Sequence, residues 1–198
     1  LDSKIKYLLF QAIIIYCIIN AGSCGIFETR EPESPINTRN TFFPPTTAEI
    51  VISNLTYSIQ EKNSENYVKC LSQNSFQFVP DSRSQQLYEQ IFNSWGHHME
   101  RLYMNNLIAA QEGGNSSAVL FLDNQQLTQL SSDSARFQAD YIFVFQHNRI
   151  NIPKSSKGRM ILIISEDDDA LFYIRRWEDF RRNDTDFTWS EFKANFSN

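Results

Sequence analysis

Cysteine is scarce in this chain of 198 residues: Cys17, Cys24 and Cys70 are all it has. No Cys-x-x-Cys pair occurs, which excludes a dithiol redox motif and the paired thiolates of a zinc knuckle. Glycine is also sparse, at six residues, and neither a Gly-rich phosphate loop nor a serine nucleophile elbow is present. The three histidines do not make a metal helix. His97 and His98 are adjacent, so on a helix they point about 100° apart rather than at one ion. His147 stands alone, and the i, i+4 pair of a zinc helix is missing. No metal and no cofactor are expected. Positive charge is in deficit, with 18 Lys and Arg against 23 Asp and Glu, a net charge of −5. Arg175-Arg176 and Arg181-Arg182 are interrupted by Glu178 and Asp179. A nucleic-acid partner, which requires a basic face to displace counterions, is therefore excluded. Long apolar runs are missing too. The longest spans Tyr7 to Ile19, broken only by Gln11, and falls short of the roughly 20 residues that cross a bilayer.

That short run has a specific setting. Lys4 and Lys6 precede it, and Ala21-Gly22-Ser23-Cys24 follows, which is the charge, apolar and small-residue order of a secretory signal. The cysteine directly after the small residues resembles the lipobox of bacterial lipoproteins, although such boxes often carry Leu where Ala21 stands. The resemblance implies cleavage between Ser23 and Cys24, lipid on Cys24, and a membrane anchor in the cell envelope. Gly25 after the cysteine implies the outer membrane, if the cell has one. Ala21-Gly22-Ser23 also suits a general signal peptidase, which would leave the chain free. The chain begins with Leu1 rather than Met, from which a few further upstream residues are expected.

Removal of residues 1–23 takes away Lys4, Lys6 and Asp2 and leaves 16 basic against 22 acidic residues. Residues 24–45 read as the lipidated cysteine and an extended tether, because Pro32, Pro35, Pro44 and Pro45 disfavour helix before them. Ile26-Phe27 and Phe42-Phe43 are apolar islands that a pure spacer does not require, and they are candidate contacts with an envelope partner. Past the lipid site Cys70 is alone, so the domain has no internal disulfide and must be held by packing. In Tyr67-Val68-Lys69-Cys70-Leu71 it reads as a small buried residue rather than a nucleophile. The sequons at Asn54, Asn115, Asn183 and Asn195 carry no general meaning in a bacterial lipoprotein.

Residues 46–198 read as one α+β domain of order α-α-β-α-β-β-β-β-α. Thr46-Thr47-Ala48-Glu49 matches a capping box, and Val51, Ile52, Leu55 and Ile59 follow at helical spacing. Ser64 caps a second short helix, and Phe76-Gln77-Phe78-Val79 is a short strand stopped by Pro80. Ser82 with Gln85 opens a long helical region whose stripe is Leu87, Ile91, Trp95, Met99 and Leu102, with Gly96 able to kink or divide it. The period then becomes two. Ala118–Leu122, then Phe137–Phe145, Met160–Ile164 and Leu171–Trp177 read as strands. Glu166 to Asp169 joins the last two as a solvated hairpin turn, lacking the spacing and glycine of a calcium loop. Thr188 and Glu191 cap a terminal helix. Trp95, Trp177 and Trp189 fit packing positions better than sugar platforms.

This order, with Glu61-Lys62-Asn63-Ser64-Glu65-Asn66-Tyr67 between the first helices and the late strand Leu171–Asp179, resembles the nuclear-transport-factor-2-like superfamily. The resemblance implies a strongly bent antiparallel sheet wrapped around helices as a cone. It implies no activity, because the superfamily holds both isomerases and dehydratases and many non-catalytic modules. Phe137, Tyr141, Phe143, Tyr173 and Trp177 are the candidate cavity lining. Asp140 is the carboxylate an isomerase would need, but it alternates with Tyr141, so both cannot point into one cone. The reading is a lipid-anchored envelope protein acting as a non-catalytic binding or assembly module, an accessory subunit of a membrane complex being one form of it, with a small-molecule isomerase- or dehydratase-like enzyme as its rival.

Overall fold

The computed structural model describes residues 41–113 and 117–198; the signal segment, Ser23, Cys24 and the tether as far as residue 40 lie outside the described residues. The described residues all belong to one folded unit. Helix α1 (Ala48–Gln60) and α2 (Ser64–Lys69) are followed by strand β1 (Gln77–Val79). Three helices come next, α3 (Ser82–Leu87), α4 (Glu89–Phe92) and α5 (His97–Ala109). Strands β2 (Ala118–Ser131), β3 (Ser134–Phe145), β4 (Ser155–Glu166) and β5 (Phe172–Phe180) then form the sheet, and α6 (Trp189–Asn195) closes the chain.

Local chemistry sets the helix ends one residue away from several expected places. Thr47, not Thr46, caps α1 by accepting from the Ile50 amide. Asn63 rather than Ser64 caps α2, and Asp81 rather than Ser82 caps α3, accepting from the amides of Arg83 and Ser84. The long helical region is three helices, and Gly96 divides it as the N-cap of α5. That break resets the helical phase. The buried face of α5 is Glu100, Tyr103, Met104 and Leu107, while Leu87 and Leu102 of the expected stripe are exposed.

The sheet order is β1-β5-β4-β3-β2, antiparallel except for β1, which runs parallel to β5. In β3 the alternation is strict. Phe137, Ala139, Tyr141, Phe143 and Phe145 are all buried on the inner face, and they meet Leu120, Met160 and Leu162 from neighbouring strands. In β5 alternation fails. A register shift opposite Ile163 and Ile164 gives β5 an extra residue, Arg175, and so Ile174 and Trp177 both point inward. Strand β2 runs nine residues beyond its expected end at Leu122, with Asn124 at φ 51 and a register shift between Asp123 and Gln126. Its second half is exposed and polar, so pairing with β3, not burial, extends it. Gly158 lies where β4 crosses Tyr141; a Cβ there would sit 2.6 Å from the Phe180 carbonyl oxygen and 2.8 Å from the Tyr141 hydroxyl.

The last part of the expected tether packs on the domain. The Phe43 amide donates to Asn54 Oδ1 (3.0 Å), Asn54 Nδ2 donates to the Phe43 carbonyl (2.7 Å), and the Phe172 amide donates to the Pro45 carbonyl (2.7 Å). Asn54 is fully buried to make these bonds. No helix among the described residues is long and apolar enough to cross a membrane.

Candidate functional site: a filled cone and the groove beside it

The bent sheet closes over α5, and the space between them is occupied by α6. Thr188 starts α6 with a reciprocal capping box: its hydroxyl accepts from the Glu191 amide, and its own amide donates to Glu191 Oε2 (2.9 Å). The cap aims Trp189 into the cone. Its ring stacks on Phe143 with centroids 4.6 Å apart, stands perpendicular to Trp177 at 4.6 Å, and its Nε1 donates to the Tyr103 hydroxyl (2.9 Å). One turn later Phe192 and Phe196 pack against each other and against His147.

Between these rings Lys193 is fully buried and ion-paired to Glu100, itself fully buried. Its Nζ lies 3.9 Å from the Phe78 ring centre and 4.3 Å from that of Trp177, so the ammonium sits in an aromatic box as well as beside a carboxylate. Trp95 Nε1 donates to Glu100 Oε1 (2.7 Å) and the Tyr67 hydroxyl donates to Glu100 Oε2 (2.8 Å). Every charged oxygen thus has a donor, which is the condition for carrying an ion pair in an apolar interior. Burial holds the Lys193 ammonium below the usual lysine range, with Glu100 opposing that shift. Burial also raises the Tyr67 and Tyr103 hydroxyls well above the ordinary tyrosine value.

The start of α6 has a second polar socket. Asp179 accepts from the Tyr141 hydroxyl (2.8 Å), the Ser190 amide (2.7 Å) and the Ser190 hydroxyl (2.6 Å). The Tyr141 oxygen in turn accepts from the Trp189 amide (2.7 Å). Burial pushes the Asp179 carboxyl up to about 6 despite these donors. Asp81 receives the hydroxyls of Ser84 (2.5 Å) and Thr188 (2.6 Å) and pairs with Arg181, and these bonds hold its carboxyl below the usual range against burial.

The expected cavity-lining residues therefore divide. Phe137, Tyr141, Phe143 and Trp177 do face the cone, but all are buried against α6 and the other strands rather than lining an open space. Tyr173 does not join them. The extra residue in β5 turns it outward, where its hydroxyl donates to Asp169 (2.7 Å) and, with burial, is raised to about 12. Asp140 is on the outer face of the sheet. It accepts from Arg159 Nε (2.8 Å) and Asn124 Nδ2 (2.9 Å), and lies 3.1 Å from Arg182 Nη1. The Arg159 bond holds its carboxyl below the ordinary range, which is unsuited to a general base in a cone. Cys70 is buried, with its thiol pushed up by burial. His97 contacts the Val68 carbonyl, and among the described residues no group of three or more metal-ligating side chains exists.

The buried roles of Glu100, Lys193 and Asp179 were not among the sequence expectations. A signal for Glu100 was available: a lone acid at i, with Tyr103, Met104 and Leu107 at i+3, i+4 and i+7, lies on a buried face. Lys193 lies between Trp189, Phe192 and Phe196 in the same way.

A groove of about 530 Å³ opens beside the cone. Phe42, Pro45, Leu71, Leu171 and Tyr173 give it apolar walls. Lys69, Arg101 and Asp167 to Asp169 add charge of both signs to its lining. Arg101 is paired with Glu65, and Lys69 lies over the Phe42 ring at 5.7 Å. The groove can seat an extended apolar segment or a small ligand.

A five-stranded curled sheet enclosing helices in this order is the nuclear-transport-factor-2-like fold. A protein from Novosphingobium aromaticivorans with the provisional name scytalone dehydratase superposes with a TM-score of 0.52, at 11% identity, over 66% of this chain and 78% of that one. A Xanthomonas campestris protein with the provisional name calcium/calmodulin dependent protein kinase II association domain gives 0.51 at 9% identity, over 69% and 86%. A second N. aromaticivorans protein, provisionally an aromatic ring hydroxylase, gives 0.50 at 11%, over 75% and 96%. At such identities the likeness is one of fold. No family model and no curated protein sequence matches the chain.

Proposed function

We propose that this is a cell-envelope lipoprotein, anchored through lipid on Cys24, whose cone domain is a non-catalytic binding or assembly module. The observation that supports it is the occupation of the cone by α6. Trp189 and Lys193 take the volume where a substrate would lie, and Glu100, Tyr103, Tyr141 and Asp179 all bond to α6 or its capping residues. The rival, an isomerase- or dehydratase-like enzyme, has one observation in its favour: a carboxyl at about 6, Asp179, hydrogen-bonded to a phenol inside the cone. Both groups hold the start of α6, so that chemistry requires α6 to leave. On the binding reading, the groove beside Tyr173 is the contact surface, and a partner in the envelope is its occupant.

The test has two arms in the native host. Metabolic labelling with an alkynyl fatty acid and membrane fractionation compare the wild type with Cys24→Ser. Label and membrane retention in the first, and loss of both in the second, are expected. A photo-cross-linking residue at Gln73, in the groove, is compared with one at Leu87 on an exposed helix. A single discrete adduct from position 73 only is expected. Unlabelled wild type overturns the anchor, and equal or absent adducts at both positions overturn the groove as the binding surface.

A further inference from the structure

On the outer face of the sheet, away from the cone and the groove, lies a second cleft of about 450 Å³ lined by Gln138, Arg159, Ile161, Phe180, Arg181 and Arg182. Strand register assembles it. Asp140 is opposite Arg159, Gln138 is opposite Ile161, and Arg159 is opposite Phe180. Its lining holds three guanidinium groups and no carboxylate, in a chain whose net charge is −5.

The polar groups of this cleft are all prepared as donors. Asp140, more than nine-tenths buried, anchors Arg159 through Nε and Arg182 through Nη1. Each of these guanidinium groups keeps its other N–H groups, and both are about half exposed, at 42% and 50%. Arg136 Nη2 donates to Gln138 Oε1 (2.9 Å), which leaves the Gln138 amide to present its NH₂. Arg181 is held by Asp81, Glu191 and the Asp186 carbonyl, and contributes mainly charge. Ile161 and the partly exposed Phe180 supply an apolar floor. Two anchored guanidinium groups and one amide, with no acceptor among them, match an oxyanion: planar forks recognise carboxylate and phosphate oxygens in pairs.

The geometry points to a binding site for an oxyanion on an apolar stem, a phosphate monoester or a carboxylate, held between Arg159 and Arg182 with its stem over Ile161 and Phe180. Asp140 is a positioning residue here: it fixes the two guanidinium groups and touches no ligand.

Isothermal titration calorimetry of the full chain at low salt, with phenyl phosphate, benzoate and benzyl alcohol as probes, tests the site. Saturable binding of at least one anion, none of the alcohol, and weakening with added NaCl are expected. Preference for phenyl phosphate assigns the site to phosphate monoesters, and preference for benzoate assigns it to carboxylates. Arg182→Gln, at a half-exposed position, is expected to weaken the preferred anion about tenfold, the scale of one charge-assisted bond pair. Gln138→Leu is a second, independent variant and is expected to weaken it severalfold, with far-UV circular dichroism unchanged in both. The inference is overturned by the lack of saturable binding of either anion in the millimolar range. Affinity unchanged in both variants, or equal binding of the neutral alcohol, also overturns it.

Discussion

Replacing Lys193 with Met keeps the volume and apolar stem of the side chain and removes only the ammonium. Glu100 then stays fully buried with two neutral donors, the Trp95 indole and the Tyr67 hydroxyl, and no counter-charge. Removing one partner of a buried ion pair costs about 3–5 kcal/mol. The two remaining hydrogen bonds place the expected value at the lower end, about 3 kcal/mol, and loss of the ammonium from the Phe78 and Trp177 faces adds to it. In urea unfolding, with an m-value of about 2 kcal/mol/M for a domain of this size, the midpoint should fall by about 1.5 M at unchanged slope. The double variant Glu100→Gln with Lys193→Met removes both charges and should recover most of the loss, because the amide oxygen can still accept from Trp95 while the amide NH₂ donates to the Tyr67 hydroxyl, which turns to accept. A Lys193→Met midpoint within 0.3 M (about 0.6 kcal/mol) of wild type would refute the reasoning. A double variant as unstable as the single one would do so too, since it would show that the ammonium's charge is not what Glu100 requires.

Asp179 makes a pH prediction of defined sign. Its folded-state value of about 6 exceeds the ordinary 3.8, so the folded state binds the proton more tightly and this group lowers stability as pH rises from about 4 to about 6. The difference in unfolding free energy between wild type and Asp179→Asn should change by on the order of 2–3 kcal/mol across that window, and a flat difference would contradict the buried carboxyl. Gly158→Ala places a methyl 2.6 Å from a backbone oxygen and should lower the thermal midpoint by well over 5 °C, from roughly 2 kcal/mol or more of strain. Cys70, buried with a raised thiol, should resist iodoacetamide in the native protein and react once unfolded, and rapid native alkylation would place it elsewhere than in the core.

Much of the architecture follows from local pattern. The strict alternation of β3, the capping residues of the last helix and the acidic turn between β4 and β5 are visible in the chain because short-range sterics and single hydrogen bonds decide them. The order of helices before strands was enough to suggest the cone. The site was less legible. Alternation along β5 places Tyr173 and Trp177 on one face, and a single extra residue at Arg175 sends them to opposite faces. The apolar stripe drawn through Trp95, Met99 and Leu102 drifts off the true buried face because Gly96 restarts the helix.

By itself, then, the sequence determined the α+β class, the inner face of β3 and the placement of Asp140 and Tyr141 on opposite faces, all of which depend on residues near one another in the chain. Only the tertiary structure decided whether the cone is open. That depends on Glu100 meeting Lys193 across 93 residues, and on Asp179, Tyr141 and Tyr103 converging on Trp189 and Ser190. A buried charge is tolerable only where distant chain segments bring it a partner, and no local pattern records which segment that will be.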